Sequence, residues 1–387
     1  MPLPRPKPDV PGGLAALLGP AKAITVVDCE TTGPRIESTP MEIQADDLPS
    51  IRNHAELEFP TGFEPDGQYF PMVASALSDA AAILLAAKGL PIPSVRLVFA
   101  EDVWAAPVAE QARLGLPPDR RGGPERLGGF VVAGKTIESL DGSHFSIILP
   151  AWAAAASSDD GVSVLYAASI VGHELGHVLL DVRRRAALGS APENVGLPWE
   201  IAPTIALLAS AEYRADRFGL MLCASAVKPS ASDQSPMDIA LLHAPQFVDQ
   251  LEAALDEVLP GLNKVVWRYR THQVALGDMW SHVAKTSEEI AIVLAHVEAH
   301  TVGTGGTMRS IDHPAARLLE PLWRPLFDYL GSVGLPLGDD DGDWYADREE
   351  IQRIGLEGLT EVWRRLGLTS RPDGDSFVLS VDGPQRY

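Results

Sequence analysis

Apolar positions along this chain fall into short runs and longer helical windows. SVRLVFA at 94–100 and HFSIILP at 144–150 are rich in branched and aromatic side chains, which predicts strands. AITVV at 23–27 and FVVAG at 130–134 have the same character, and a turn around Asp141-Gly142 leads from the latter into 144–150. ASALSDAAAILLAAK at 74–88 has helical spacing instead and ends at Gly89. A longer helix is expected from about Val162 to Leu188. SSDDG at 157–161 supplies its caps, Arg183, Arg184 and Arg185 suit the negative end of its dipole, and Gly189 can stop it. The next helix is placed from Pro203, a first-turn proline, to about Ala226. Past the Ser/Pro loop 229–236 the pattern is mostly helical to about Leu330, with further helix at 347–366 and no internal repeat.

Composition narrows the setting. A chain of 387 residues can bury a large core. No run reaches the roughly 18 uncharged apolar residues that span a bilayer, and the nearest approach is 162–180. The opening MPLPRPKPDVPGG is Pro-rich, reads as an extended arm, and lacks the apolar core of a signal peptide. Two cysteines, Cys29 and Cys223, build no disulfide framework, so a cytoplasmic protein is expected. The formal charge of −21 repels phosphate backbones and anionic membranes, and the loop carrying Arg113, Arg120, Arg121 and Arg126 is too sparse to override it. Neither nucleic acid nor membrane is expected as a partner.

The chemistry concentrates in IVGHELGHVLL at 170–180. Residues four apart share a helix face, so His173 and His177 can aim two imidazoles at one ion. Glu174 then lies beside the open coordination position, where a carboxylate can take a proton from zinc-activated water. This is the mechanical content of H-E-x-x-H in metallopeptidases. A third ligand on the same helix, such as Asp181, would spread over too many turns. The next helix offers AEYRADRFG, in which Glu212 can complete a His-His-Glu site. Asp216, one turn later, can accept a hydrogen bond from a ligand histidine's other nitrogen.

HELGH followed by E-Y-R-A-D resembles the His-Glu-x-x-His plus Glu-x-x-Ala-Asp pattern of gluzincin metallopeptidases, carried by HtpX-like and CAAX-prenyl-protease-type enzymes and their soluble minimal relatives. The segment Ser310-Ile-Asp-His313-Pro314-Ala-Ala-Arg317 is similar to a downstream Ser/Thr-x-His-Pro…Arg element of several such families. The resemblance implies one zinc per chain on His173, His177 and Glu212, Glu174 as the base, Asp216 behind the ligands, and His313 near substrate or the reaction's oxyanion. It covers two helices and one short segment, and it lacks the transmembrane helices of the membrane-embedded relatives. The expectation is an α+β zinc metallopeptidase acting on a protein or peptide. A small sheet packs on two zinc-binding helices, and a mostly helical C-terminal region follows. The parts are a flexible arm at 1–20, an α/β part with substrate-side strands at 21–150, a helical core at 151–330, and an acidic loop, helix and tail at 331–387. HFSIILP is expected to be the edge strand that holds an extended peptide. A catalytically silent binding protein on the same fold is the alternative.

Three weaker signals compete. VVDCETTG at 26–33 is similar to the first motif of DEDD-type nucleases, with Asp28 and Glu30 as magnesium ligands, but further carboxylates are not found where that fold needs them. LAHVEAH at 294–300 sets His296 and His300 four apart without a glutamate directly after the first, so an ordinary amphipathic helix outweighs a second metal site. GDDDGDWYADREE at 338–350 puts Asp339, Asp341, Asp343, Asp347 and Glu350 at EF-hand-like positions, yet Trp344 stands where the loop needs glycine.

Overall fold

A computed structural model describes residues 23–25, 42–44, 55–59, 69–117, 134–154, 161–188, 198–226, 236–301, 313–333, 341–373 and 376–382. The elements in chain order are β1 (Ala23–Thr25), β2 (Glu42–Gln44), β3 (Ala55–Glu58), α1 (Tyr69–Ala87), β4 (Ser94–Ala100), α2 (Ala106–Arg113), β5 (Lys135–Glu138), β6 (His144–Pro150), α3 (Ala151–Ala154), α4 (Gly161–Leu188) and α5 (Pro198–Ala226). They continue as α6 (Pro236–Arg270), α7 (Leu276–Thr301), α8 (Pro314–Val333), α9 (Asp341–Arg365), β7 (Leu368–Asp373) and β8 (Ser376–Val381). The chain is α+β and mostly helical. The N-terminal arm, Asp28, Cys29, Glu30 and the basic loop at 118–133 lie outside the described residues.

The central sheet is mixed, in the order β3-β4-β6-β5, with β5 alone antiparallel to its neighbour. Val95, Leu97 and Phe99 of β4 alternate with outward residues and meet Phe145, Ile147 and Leu149 of β6 on one face. That face packs on α1 and α4 through Phe70, Leu77, Val171 and Leu175. Val98, Ile137 and Ile148 form a smaller cluster on the other face, beside α2. Two expectations change here. HFSIILP is an interior strand, paired on both sides, whereas β5 pairs on one side only among the described residues. The window Phe70–Ala87 of α1, with mean hydropathy 1.7, is the one described stretch long and apolar enough to cross a membrane, and 56% of it is buried in this fold.

A second core is built from α5, α6, α7, α8 and α9, centred on side chains such as Leu255, Leu294, Leu326 and Trp363. The Trp280 and Trp363 rings meet edge to face at 4.8 Å, and Trp363 Nε1 donates to Ser287 Oγ. Helix α5 serves both cores. Ala215, Phe218 and Leu222 enter the first, while Ala202, Ile205, Ala209 and Tyr213 enter the second. It starts at Pro198, so Pro203 lies inside the helix rather than in its first turn.

The acidic stretch is a correction as well. Backbone from Asp341 onward is helical, and Asp347 is occupied by Arg214, whose guanidinium donates to it at 2.7 and 2.8 Å. Tyr329 Oη donates to the same carboxylate, and Glu350 is paired with Arg353. A helix cannot wrap those side chains around calcium as a loop does. The Arg214–Asp347 pair fastens α9 to α5, and Asp339 lies outside the described residues.

Candidate metal centre

The site begins with two helices whose backbones touch. A Cβ on Gly176 would stand 2.5 Å from the Ala215 carbonyl oxygen and 2.7 Å from its Cα, and one on Gly172 would stand 3.0 Å from Gly219 Cα. The glycine inside HELGH is therefore a packing requirement, since any side chain there would push α4 off α5. Leu175 and Leu179, fully buried beside it, anchor α4 to the first core, each contributing about 1.5–3 kcal/mol. Gly176→Val is expected to cost about 3 kcal/mol in urea unfolding, because the atoms met are backbone and no rotamer relieves the overlap. Gly261, with nothing within 4 Å, is the control. Gly261→Ala should instead stabilise by up to about 1 kcal/mol through helix propensity.

With the helices this close, side chains of α4 and α5 converge. His173 Nε2 lies 3.1 Å from His177 Nε2 and 3.3 Å from Glu212 Oε2, and His177 Nε2 lies 3.4 Å from the same oxygen. His173 Nδ1 is 2.7 Å from Asp216 Oδ1. A carboxylate accepts only, so that nitrogen is the donor and the lone pair of the neutral ring sits on Nε2. Three electron-rich atoms thus face one another at separations of 3.1–3.4 Å. Tetrahedral bonds of about 2.0–2.1 Å to nitrogen and oxygen give donor–donor edges of about 3.3–3.4 Å, so this donor set fits a zinc ion.

The protonation balance without a metal agrees with that crowding. Burial opposes charge on His173, but the Asp216 and Glu212 carboxylates outweigh it and hold the ring well above its ordinary pKa. Burial likewise opposes charge on His177, and Glu212 raises it. Glu212 and Asp216 are held well below the usual carboxylate range, since the surrounding imidazoles outweigh their burial. Protons take the place that a cation can fill.

Glu174, 5% exposed, points to the sheet side of this group. The Thr136 hydroxyl of β5 donates to Glu174 Oε2 at 2.7 Å, and a Cβ on Gly134 would lie 2.6 Å from Oε1. The strand edge and the carboxylate are therefore in direct contact. Neither Gly134 nor Thr136 is marked by any motif. Only their position next to HFSIILP in a hairpin could have drawn attention to them.

Helix α7 adds what the sequence kept separate. His296 Nδ1 is 2.7 Å from Asp216 Oδ2, its Nε2 is 3.9 Å from Glu212 Oε2, and His300 Nε2 is 3.5 Å from Asp216 Oδ1. His173, Asp216 and His296 form a second group of metal-capable atoms that overlaps the first. LAHVEAH is thus part of the same cluster, and only its helical spacing hinted at it. His313 has other partners. Its Nδ1 accepts from the Ala315 N–H at the start of α8, and its Nε2 lies 3.2 Å from Asp256 of α6. The His-Pro pair caps a helix, and Glu174 and the two group histidines are not among its partners.

Comparison with known proteins finds no matching family model, no matching curated protein and no matching solved structure.

Proposed function

We propose that this chain is a zinc-dependent peptide hydrolase of the gluzincin kind, holding one zinc on His173, His177 and Glu212. The observation that carries this reading is the triangle of donor atoms at 3.1–3.4 Å, with Glu174 next to His173 along α4. Zinc bound there supplies a Lewis acid and lowers the pKa of water to about 7. The remaining work belongs to the protein. Asp216 fixes the His173 ring by accepting from Nδ1, which keeps Nε2 directed inward. Glu174 takes the proton of the attacking water and returns it to the leaving amine. Thr136 holds that carboxylate in one orientation.

Strand β5 is the element suited to present a substrate. It has an unpaired side among the described residues and carries the hydroxyl that touches Glu174. An extended peptide added to that edge sets its backbone along the site with little demand on its side chains. The overall charge of −21 favours a protein or peptide over a polyanion as the substrate.

Elemental analysis of the native chain and of Glu212→Ala, both purified without added metal, tests the reading. About one zinc per native chain and a loss in the variant are expected. A native chain that neither contains zinc nor takes it up on titration would overturn it.

A further inference from the structure

The open face of α4 carries more than the metal group. Between Val164 and Arg184 the partly exposed positions are Tyr166, Ser169, His173, His177, Asp181 and Arg184, and every other described side chain in that span is buried. Steps of three and four residues set these positions on one side of the helix, in a single stripe along its axis. The stripe is the part of this stretch that a second molecule can reach.

Its N-terminal end is aromatic. Strand β6 ends at Pro150, and the short turn of α3 that follows lays Trp152 flat on Tyr166, with ring centroids 5.6 Å apart and planes 10° from parallel. Trp152 stays 49% exposed despite that contact. A stacked pair left open in this way offers ring faces and edges to a further ring. Ser169, between the pair and His173, is small, and its hydroxyl donates to the Tyr166 carbonyl at 2.7 Å. Tyr166 and His173 lie two helical turns apart, about 10 Å along the axis. That is the length of about three residues of extended peptide. Strand β5 supplies the direction. Thr136 meets Glu174, and Glu138 meets Arg184 and Arg185, so strand and helix run in the same sense. A peptide added to β5 therefore follows the stripe rather than crossing it.

On the zinc reading given above, we infer that Trp152 and Tyr166 form a specificity subsite, which selects peptides with an aromatic or large apolar side chain about three residues from the bond cleaved.

Hydroxamate binds zinc, so short peptides carrying it probe the stripe without turnover. Two series cover both chain directions. One sets Phe-Gly-Gly against Ala-Gly-Gly with the hydroxamate at the C-terminus, and the other sets Gly-Gly-Phe against Gly-Gly-Ala with it on a malonyl group at the N-terminus. Calorimetry on the zinc-loaded native chain should show the phenylalanine form binding about tenfold tighter in one series. Trp152→Ala should abolish that difference, and Trp152→Phe should keep most of it. No preference in either series would overturn the inference, as would an undiminished preference in Trp152→Ala. A zinc-loaded native chain that binds none of the four would overturn it too, since the stripe would not be open at the metal. Should Trp152→Ala fail to fold, the native comparison and Trp152→Phe still decide. A native chain that takes up no zinc refutes the zinc reading itself, whereas zinc uptake without a phenylalanine preference refutes only the subsite.

Discussion

Glu174→Gln is expected to keep both its fold and its zinc while slowing peptide hydrolysis by at least about 10²-fold. The side chain is nearly enclosed, with Thr136 on one oxygen and Gly134 against the other. Glutamine has the same shape, and its amide oxygen still accepts the Thr136 hydroxyl. Ligand geometry is untouched because neither His173 nor His177 rests on Glu174. What is lost is the capacity to take a proton and hand it back. Turnover and zinc content measured on one preparation separate the two effects. Native turnover at full zinc occupancy would remove Glu174 from the mechanism.

His173→Ala should be more damaging to the metal. This side chain supplies one donor of the triangle through Nε2 and one anchor for Asp216 through Nδ1. Removing only an outer partner of a ligand costs about 10–100-fold in affinity, so loss of both roles together should exceed about 100-fold. Stability gives an independent readout. An ion that binds only the folded chain adds about 2.7 kcal/mol at a concentration 100 times its Kd. Native protein should gain on this scale when zinc is added to a denaturant titration, and His173→Ala should gain nothing at the same concentration. An equal gain in both would show that the ion sits elsewhere.

The long helices were readable because their apolar spacing is regular and their ends are marked. The expected span of about 162–188 compares with Gly161–Leu188, and SVRLVFA and HFSIILP are strands over the residues expected. Short elements such as β3 and α2 were not foreseen, since a few residues carry too little periodicity. Which strand forms an edge was beyond reach for another reason. Edge or interior depends on pairing, and HFSIILP looks the same with one neighbour as with two. Within the cluster, local spacing on α4 and α5 pointed to His173, Glu174, His177, Glu212 and Asp216, and the fold brings the two histidines, Glu212 and Asp216 together, with the Glu174 carboxylate on Thr136. The partners contributed by tertiary packing were not legible. His296 comes from a helix 80 residues beyond Asp216, and His313 shares a familiar local motif yet caps α8. Asp347 suggested calcium by its spacing because the sequence does not reveal that a buried arginine from α5 claims it.

The glycine seam between α4 and α5 has a consequence for ion choice. Separation of the donors is gauged by two stiff backbones already in contact at Gly172, Gly176, Ala215 and Gly219. Calcium, which needs six to eight oxygens at about 2.3–2.6 Å, would have to wedge that seam apart and unpack both cores. In the zinc site proposed above, size discrimination would therefore reside in the main chain. Exchanging one donor side chain for another can weaken the hold on an ion, but a taste for larger ions requires the helices themselves to part.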